Sequence, residues 1–183
     1  VISGKTRPTT GQVIFNGEDI TEESEANIAL MGVGRKFQTP TIYDSLTVFQ
    51  NMELALPDSQ GLTRNLWRGT SRQEHDRIMQ MLGRVRLDDD AYRLVKFLSH
   101  GQRQWLEISM LILSDPELLL VDEPAAGLTD EETVLTAELL LELQEDHSII
   151  VIEHDMEFVR LLNAPVVVLN EGLIMASGSM EEV

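Results

Sequence analysis

Leu118-Leu119-Leu120-Val121-Asp122-Glu123 is an unbroken apolar run that ends in two adjacent carboxylates. A short apolar run of this kind is the pattern of a strand buried between layers, and its acids then stand at the strand's carboxyl end. A second run, Ser148 to Ile152, ends in Glu153-His154. Between the two, Thr129-Asp130-Glu131-Glu132 is a capping box that opens a helix through Leu143. Strand, helix and strand in this order predict an α/β chain with a parallel sheet buried on both faces. Ligands of open α/β sheets bind beyond the carboxyl ends of the strands. Asp122, Glu123 and His154 are therefore the first candidate site residues.

Each has a chemical reading and a plainer one. Asp122 is placed to hold a Mg²⁺ ion, directly or through water. Glu123 is placed to polarise an attacking water. Two acids after a strand also describe an ordinary polar strand end. His154 can touch a phosphate oxygen and sense its loss, or be a hydrogen-bonded structural histidine. Leu98-Ser99-His100-Gly101-Gln102 precedes a helix that runs to Leu113. Ser99 and Gln102 satisfy a capping box, which is sufficient reason for both. The same free N–H groups, the helix dipole and a glycine that permits close approach also make a phosphate site. Gln38, after a strand read at Met31 to Phe37, can reach a metal or a water, but a lone glutamine carries little weight.

Composition sets outer limits. The chain has 183 residues, 43% of them hydrophobic and 25% charged, which suits one domain with room for a small inserted lobe. It has no cysteine, so a disulfide scaffold, a cysteine zinc site and a thiol nucleophile are excluded. A net charge of −17 repels nucleic acid and anionic membrane surfaces. No apolar run approaches the ~20 residues that span a bilayer, and Val1 to Lys5 lacks the order of a signal peptide. Direct membrane insertion is not expected, and membrane association must run through a partner.

The remaining elements read as follows. Gln12 to Phe15 is a short strand, and Asn16-Gly17 is a hairpin signal. Thr21 to Ala29 is a short helix, and Thr39-Pro40-Thr41 breaks the strand that follows it. Val48 to Leu56 is a helix, and residues 58–70 are a loop. Ser71-Arg72-Gln73-Glu74 is a capping box opening a helix with Ile78, Met81, Leu82 and Val85 on its apolar face. Leu87 to Leu98 is a connector. Glu157 to Leu162 is helical, and Val166–Leu169 and Leu173–Ala176 are strands around Glu171-Gly172. Val1 to Gly4 reads as a last helical turn with Gly4 as its stop.

Taken together these segments are far more specific than any one. Leu-Ser-His-Gly-Gln at 98–102 precedes Leu-Leu-Leu-Val-Asp-Glu-Pro at 118–124; Ala125-Ala126-Gly127-Leu128-Thr129 follows at once, and Val151-Ile152-Glu153-His154-Asp155 comes later. With Gln38 upstream, this order and spacing resembles the ATP-binding cassette (ABC) ATPases over essentially the whole chain. The resemblance implies a P-loop NTPase-like fold with a parallel core sheet, a small antiparallel β part and an inserted helical subdomain. Residues 45–113 would be that helical subdomain, and 1–44 with 114–183 the RecA-like core. It also implies ATP and Mg²⁺ as ligands. Asp122 matches the Walker B aspartate, Glu123 the catalytic glutamate, His154 the switch histidine and Gln38 the Q-loop glutamine near the metal. Ser99, Gly101 and Gln102 resemble the signature motif, which meets the γ-phosphate on the opposite subunit. Ala125 to Thr129 match the D-loop. The texture around 98–108, 124–133 and 153–159 looks most like ATP-binding subunits of urea importers, with His100 and Trp105 favouring urea, and branched-chain amino acid importers are close kin. The implied partners are transmembrane permease subunits and a second ATPase subunit, at the cytoplasmic face of the inner membrane.

One element of the pattern is missing. No Gly-x-x-x-x-Gly-Lys-[Ser/Thr] lies in the sequence, because Gly4-Lys5-Thr6 is followed by Pro8-Thr9-Thr10-Gly11 where a helix is required. The expectation is an ATPase whose phosphate loop lies upstream of Val1, so that these residues alone are inactive. A soluble cassette ATPase of translation or DNA repair would predict tandem cassettes or a coiled-coil insertion and a basic surface. A non-catalytic interaction module would need neither Glu123 nor His154.

Overall fold

The protein is described by a computed structural model over residues 1–35, 42–56 and 70–183. β1 (Ile14–Phe15) and β2 (Glu18–Asp19) form an antiparallel hairpin. Asn16 and Gly17 turn it at φ 49° and 83°, the two left-handed positions that a type I′ turn requires. Helix α1 (Glu25–Leu30) begins later than the sequence pattern indicates. The Thr21 hydroxyl donates to Asp19 Oδ1 at 2.5 Å and accepts the Val13 N–H at 2.8 Å, so Thr21 locks the hairpin and Ser24 caps the helix instead.

The centre is a parallel sheet of β3 (Val33–Arg35), β4 (Leu118–Asp122) and β5 (Ser148–Ile152), in that spatial order. The crossover from β4 to β5 is α5 (Asp130–Leu143), opened by the Thr129–Glu132 capping box. After β5 come α6 (Met156–Leu162) and an antiparallel pair, β6 (Val166–Asn170) and β7 (Leu173–Gly178), with a register shift at Val168/Leu169. Among the described residues, three α-helices lie between β3 and β4 in sequence: α2 (Val48–Leu54), α3 (Arg72–Arg84) and α4 (His100–Leu113). Each starts at a Thr or Ser whose side chain and the third helical residue cap each other, as the sequence signals indicate for α3 and α4. All four residues of the α3 apolar face are buried.

A continuous apolar core runs from Val48 and Met52 through Ile78, Leu82 and Leu106 to Leu119, Leu140, Leu143 and Phe158. Leu119 and Val121 of β4 pack into this core with residues of α4 and α5, while Leu118 and Leu120 on the other face pack on Ile20, Ile28 and Val33, which is why the strand carries no polar residue until Asp122. A smaller cluster of Ile20, Ile28 and Val33 seats the hairpin and α1.

Two readings need correction. Double-sided burial holds for β4 but not for β5, where Ile149 and Val151 pack on the core while Ile150 and Ile152 are 41% and 61% exposed. Among the described residues nothing covers that second face. Val1 to Gly4 is a tight turn rather than helix, with the Gly4 N–H donating to Val1 O at 2.9 Å. Gly4 has φ 78° and lies against α1, where a Cβ would meet Ile28 Cδ1 at 2.9 Å, so the position admits only glycine.

Candidate functional site

The geometry of the strand ends follows from the register. Leu118 pairs with Ser148 and Asp122 with Ile152, so the polar residues after each strand emerge side by side. The Glu123 N–H extends the ladder by donating to Ile152 O at 2.9 Å. Glu123 itself adopts φ 48°, a left-handed conformation that costs a side-chain-bearing residue about 1–2 kcal/mol. Strain of that kind persists where the surroundings enforce it, and it clusters at functional sites. The turn directs the Glu123 carboxylate at His154, with Oε1 3.8 Å from Nδ1. That is too long for a hydrogen bond, and both side chains are mostly open to solvent, so a water or an oxyanion has access to both.

Two residues that sequence reasoning overlooked hold this arrangement. The Glu153 side chain is 2% exposed, and its carboxylate takes three backbone donors: Ala125 N at 2.9 Å, His154 N at 2.8 Å and Asp155 N at 3.2 Å. It ties the backbone around His154 to the segment that leaves β4. Gln104, buried on α4, donates to Pro124 O and, at 3.4 Å, to Glu123 O. The sequence signal for Glu153 was its place between a strand and a histidine. For Gln104 there was only a polar residue at a helix position whose neighbours are apolar.

Asp122 is half-buried at the end of β4, and no described group takes its carboxylate. No cluster of three or more His, Asp or Glu among the described residues could cage a metal ion. A Mg²⁺ site needs no such cage, since one or two carboxylates usually share the ion with substrate phosphates and water. Asp122 fits that partial role. Gln38, the other metal candidate, lies outside the described residues.

Ser99, Gly101 and Gln102 form a separate group at the start of α4. Ser99 Oγ accepts the Gln102 N–H at 3.2 Å, and Gln102 Oε1 accepts the Ser99 N–H at 3.0 Å. His100 Nε2 lies 3.2 Å from Ala126 O, and Ser99 Oγ donates to Glu132 Oε1 at 3.2 Å. This end of α4 is thus docked on residues 126–132, the turn and first helical residues that follow the strand-end acids. The backbone N–H of Thr129 above all holds the Glu132 carboxyl below the usual glutamate range, and donors from the Thr129 and Ser99 hydroxyls add to it.

With this geometry in view, the chain can be placed. Its fold is that of an ATP-binding cassette: the structure superposes on MJ1267, an ATP-binding cassette of an ABC transporter, with a TM-score of 0.85 and 26% identity, over 100% of this chain and 75% of the other. Residues 1–126 match the family pattern described as ABC transporter, and the chain belongs to that family. It is 32% identical to LivG of Escherichia coli K12, the high-affinity branched-chain amino acid transport ATP-binding protein, over 100% of this chain and 75% of that one. It is 31% identical to BraF of Pseudomonas aeruginosa, described in the same words, over the same shares.

The Glu153 brace yields a stability test. Glu153→Ala leaves three backbone N–H groups, one of them part-buried, without their charged acceptor and is expected to cost about 1–3 kcal/mol in urea unfolding. Glu157→Ala, on the exposed start of α6, is expected to change stability by less than ~1 kcal/mol.

Proposed function

We propose that this chain is the ATP-hydrolysing subunit of an ABC importer. The observation that carries the reading is the β4–β5 register, which sets Asp122, the strained Glu123 and His154 on adjacent strand ends. In this reading Asp122 would hold a Mg²⁺ together with nucleotide phosphates and water, and such an ion would supply neutralisation of phosphate charge. Glu123 accepts a proton from the attacking water, and His154 contacts the γ-phosphate and orients Glu123. Ser99 Oγ and the N–H of Gly101 face the γ-phosphate held by a second ATPase subunit, Gln102 holds Ser99 in place through the capping box, and Gln38 lies near the metal. Residues 45–113 act as the lobe that docks on a transmembrane permease. No described helix is long and apolar enough to cross a membrane, in keeping with a peripheral subunit at the cytoplasmic face.

The solute class follows kinship. The relatives named for branched-chain amino acid transport favour those solutes. Urea is the second reading, on the texture of residues 98–108. His100 and Trp105 weigh less for it than their identities imply, because both have partners within the chain: His100 Nε2 lies 3.2 Å from Ala126 O, and Trp105 Nε1 donates to Thr136 Oγ1 at 2.9 Å. Uptake of labelled leucine against labelled urea by the assembled transporter separates the two.

Hydrolysis is tested in the ATPase assembled with its partner subunits. Glu123→Gln is expected to lower turnover by roughly 10²–10⁴-fold while Mg-ATP binding persists. Normal turnover contradicts the assignment. The sequence holds no Gly-x-x-x-x-Gly-Lys-[Ser/Thr], the loop whose backbone N–H groups and lysine cradle phosphates, so the 183 residues alone are expected to bind Mg-ATP weakly. Calorimetric titration decides. Tight binding by the 183 residues alone means that they contain another phosphate cradle.

A further inference from the structure

Glu132 serves two elements at once. Its Oε2 accepts the Thr129 N–H at 3.0 Å and closes the capping box of α5. Its Oε1 accepts the Ser99 hydroxyl at 3.2 Å, reaching across to α4. The carboxylate also fills the space in front of Gly101, where any Cβ would collide with it. One turn along, the Glu132 carbonyl accepts from Thr136 Oγ1 at 2.7 Å, and that hydroxyl takes the buried Trp105 indole N–H at 2.9 Å. The carboxylate is therefore anchored from below and directed at the start of α4.

A serine hydroxyl has one proton. Ser99 Oγ already accepts the Gln102 N–H, and its proton is committed to Glu132. A phosphate that reaches Ser99 must displace the carboxylate as acceptor of the Ser99 hydroxyl and then lie close to a second negative charge. We propose that Glu132 is a positioning residue that holds Ser99 as an internal stand-in for phosphate, and so raises the ATP concentration needed for the two ATPase subunits to close. The inference rests on the reading of Ser99 and Gly101 as phosphate contacts and adds to it a regulator within the same chain. Glu132 does not touch the reacting atoms; it acts through the donor state of Ser99 and through charge.

The test uses the intact ATPase assembled with its partner subunits. The Mg-ATP concentration for half-maximal subunit closure, and KM and kcat, are measured at low and high salt. In Glu132→Gln the amide oxygen still caps α5, while the charge is gone. The variant is expected to close, and to reach half-maximal rate, at roughly three- to tenfold lower Mg-ATP at low salt. Its kcat should stay within about twofold, and the difference should shrink at high salt as repulsion is screened. The control Glu131→Gln removes an exposed charge one residue away and should match wild type. Equal or weaker closure by Glu132→Gln, a gain that ignores salt, or the same gain in Glu131→Gln overturns the proposal. Ser99→Ala run alongside identifies where a failure lies. A raised Mg-ATP requirement supports Ser99 as a phosphate contact, and wild-type closure overturns that underlying reading together with the role given to Glu132.

Discussion

The parallel pairing of β4 with β5 is the constraint on which the rest depends. A parallel ladder fixes register over its whole length, and here it runs from Leu118 opposite Ser148 to Asp122 opposite Ile152. One further bond, from the Glu123 N–H to Ile152 O, carries the ladder past the last strand residue and holds Glu123 in the left-handed region. A slip of one residue would invert the faces of β5 and turn Ile149 and Val151 out of the core. It would also separate Glu123 from His154. Burial of β4 on both sides and the placing of the acids are thus one event. The apolar run supplies the free energy, and the first polar residues mark where the layers end.

A second web joins the helical part to the strand ends. Gln104 bonds the carbonyls that follow β4, His100 meets Ala126 O, and Trp105 is fixed through Thr136. All three lie within two turns of the start of α4. These bonds join α4 directly to the segment after Glu123, with no intervening loop. Packed elements move as units, so in the proposed function this junction is the physical route between the docking lobe and the hydrolytic centre. Buried polar groups that are fully satisfied give such a junction its rigidity.

Much of the fold could be read from local chemistry. The capping boxes at Ser71, Ser99 and Thr129 each start a helix, because two backbone donors find acceptors within four residues. The Asn16-Gly17 hairpin follows from left-handed tolerance at both positions. The start of α1 departs from the local pattern because Thr21, a good cap in isolation, is drawn into the hairpin by Asp19 and Val13. Such competition is settled by partners nearby in space. The half-exposure of β5 was also missed, since an apolar run of four residues does not say how many layers cover it. At the site, the strand ends could be placed from the sequence, and they lie where that argument puts them. Glu153, Gln104 and Glu132 could not be ranked, because an acid or amide in the sequence carries no mark of burial or of the donors that will surround it.

The central claim is that Glu123 and His154 form one hydrolytic unit. A double-mutant cycle on the kcat of the assembled ATPase, with Glu123→Gln, His154→Ala and the pair combined, addresses it directly. If the two act as a unit, the double variant loses little more than the worse single variant. Losses that multiply, each residue contributing the same factor whether or not the other is present, would contradict the account.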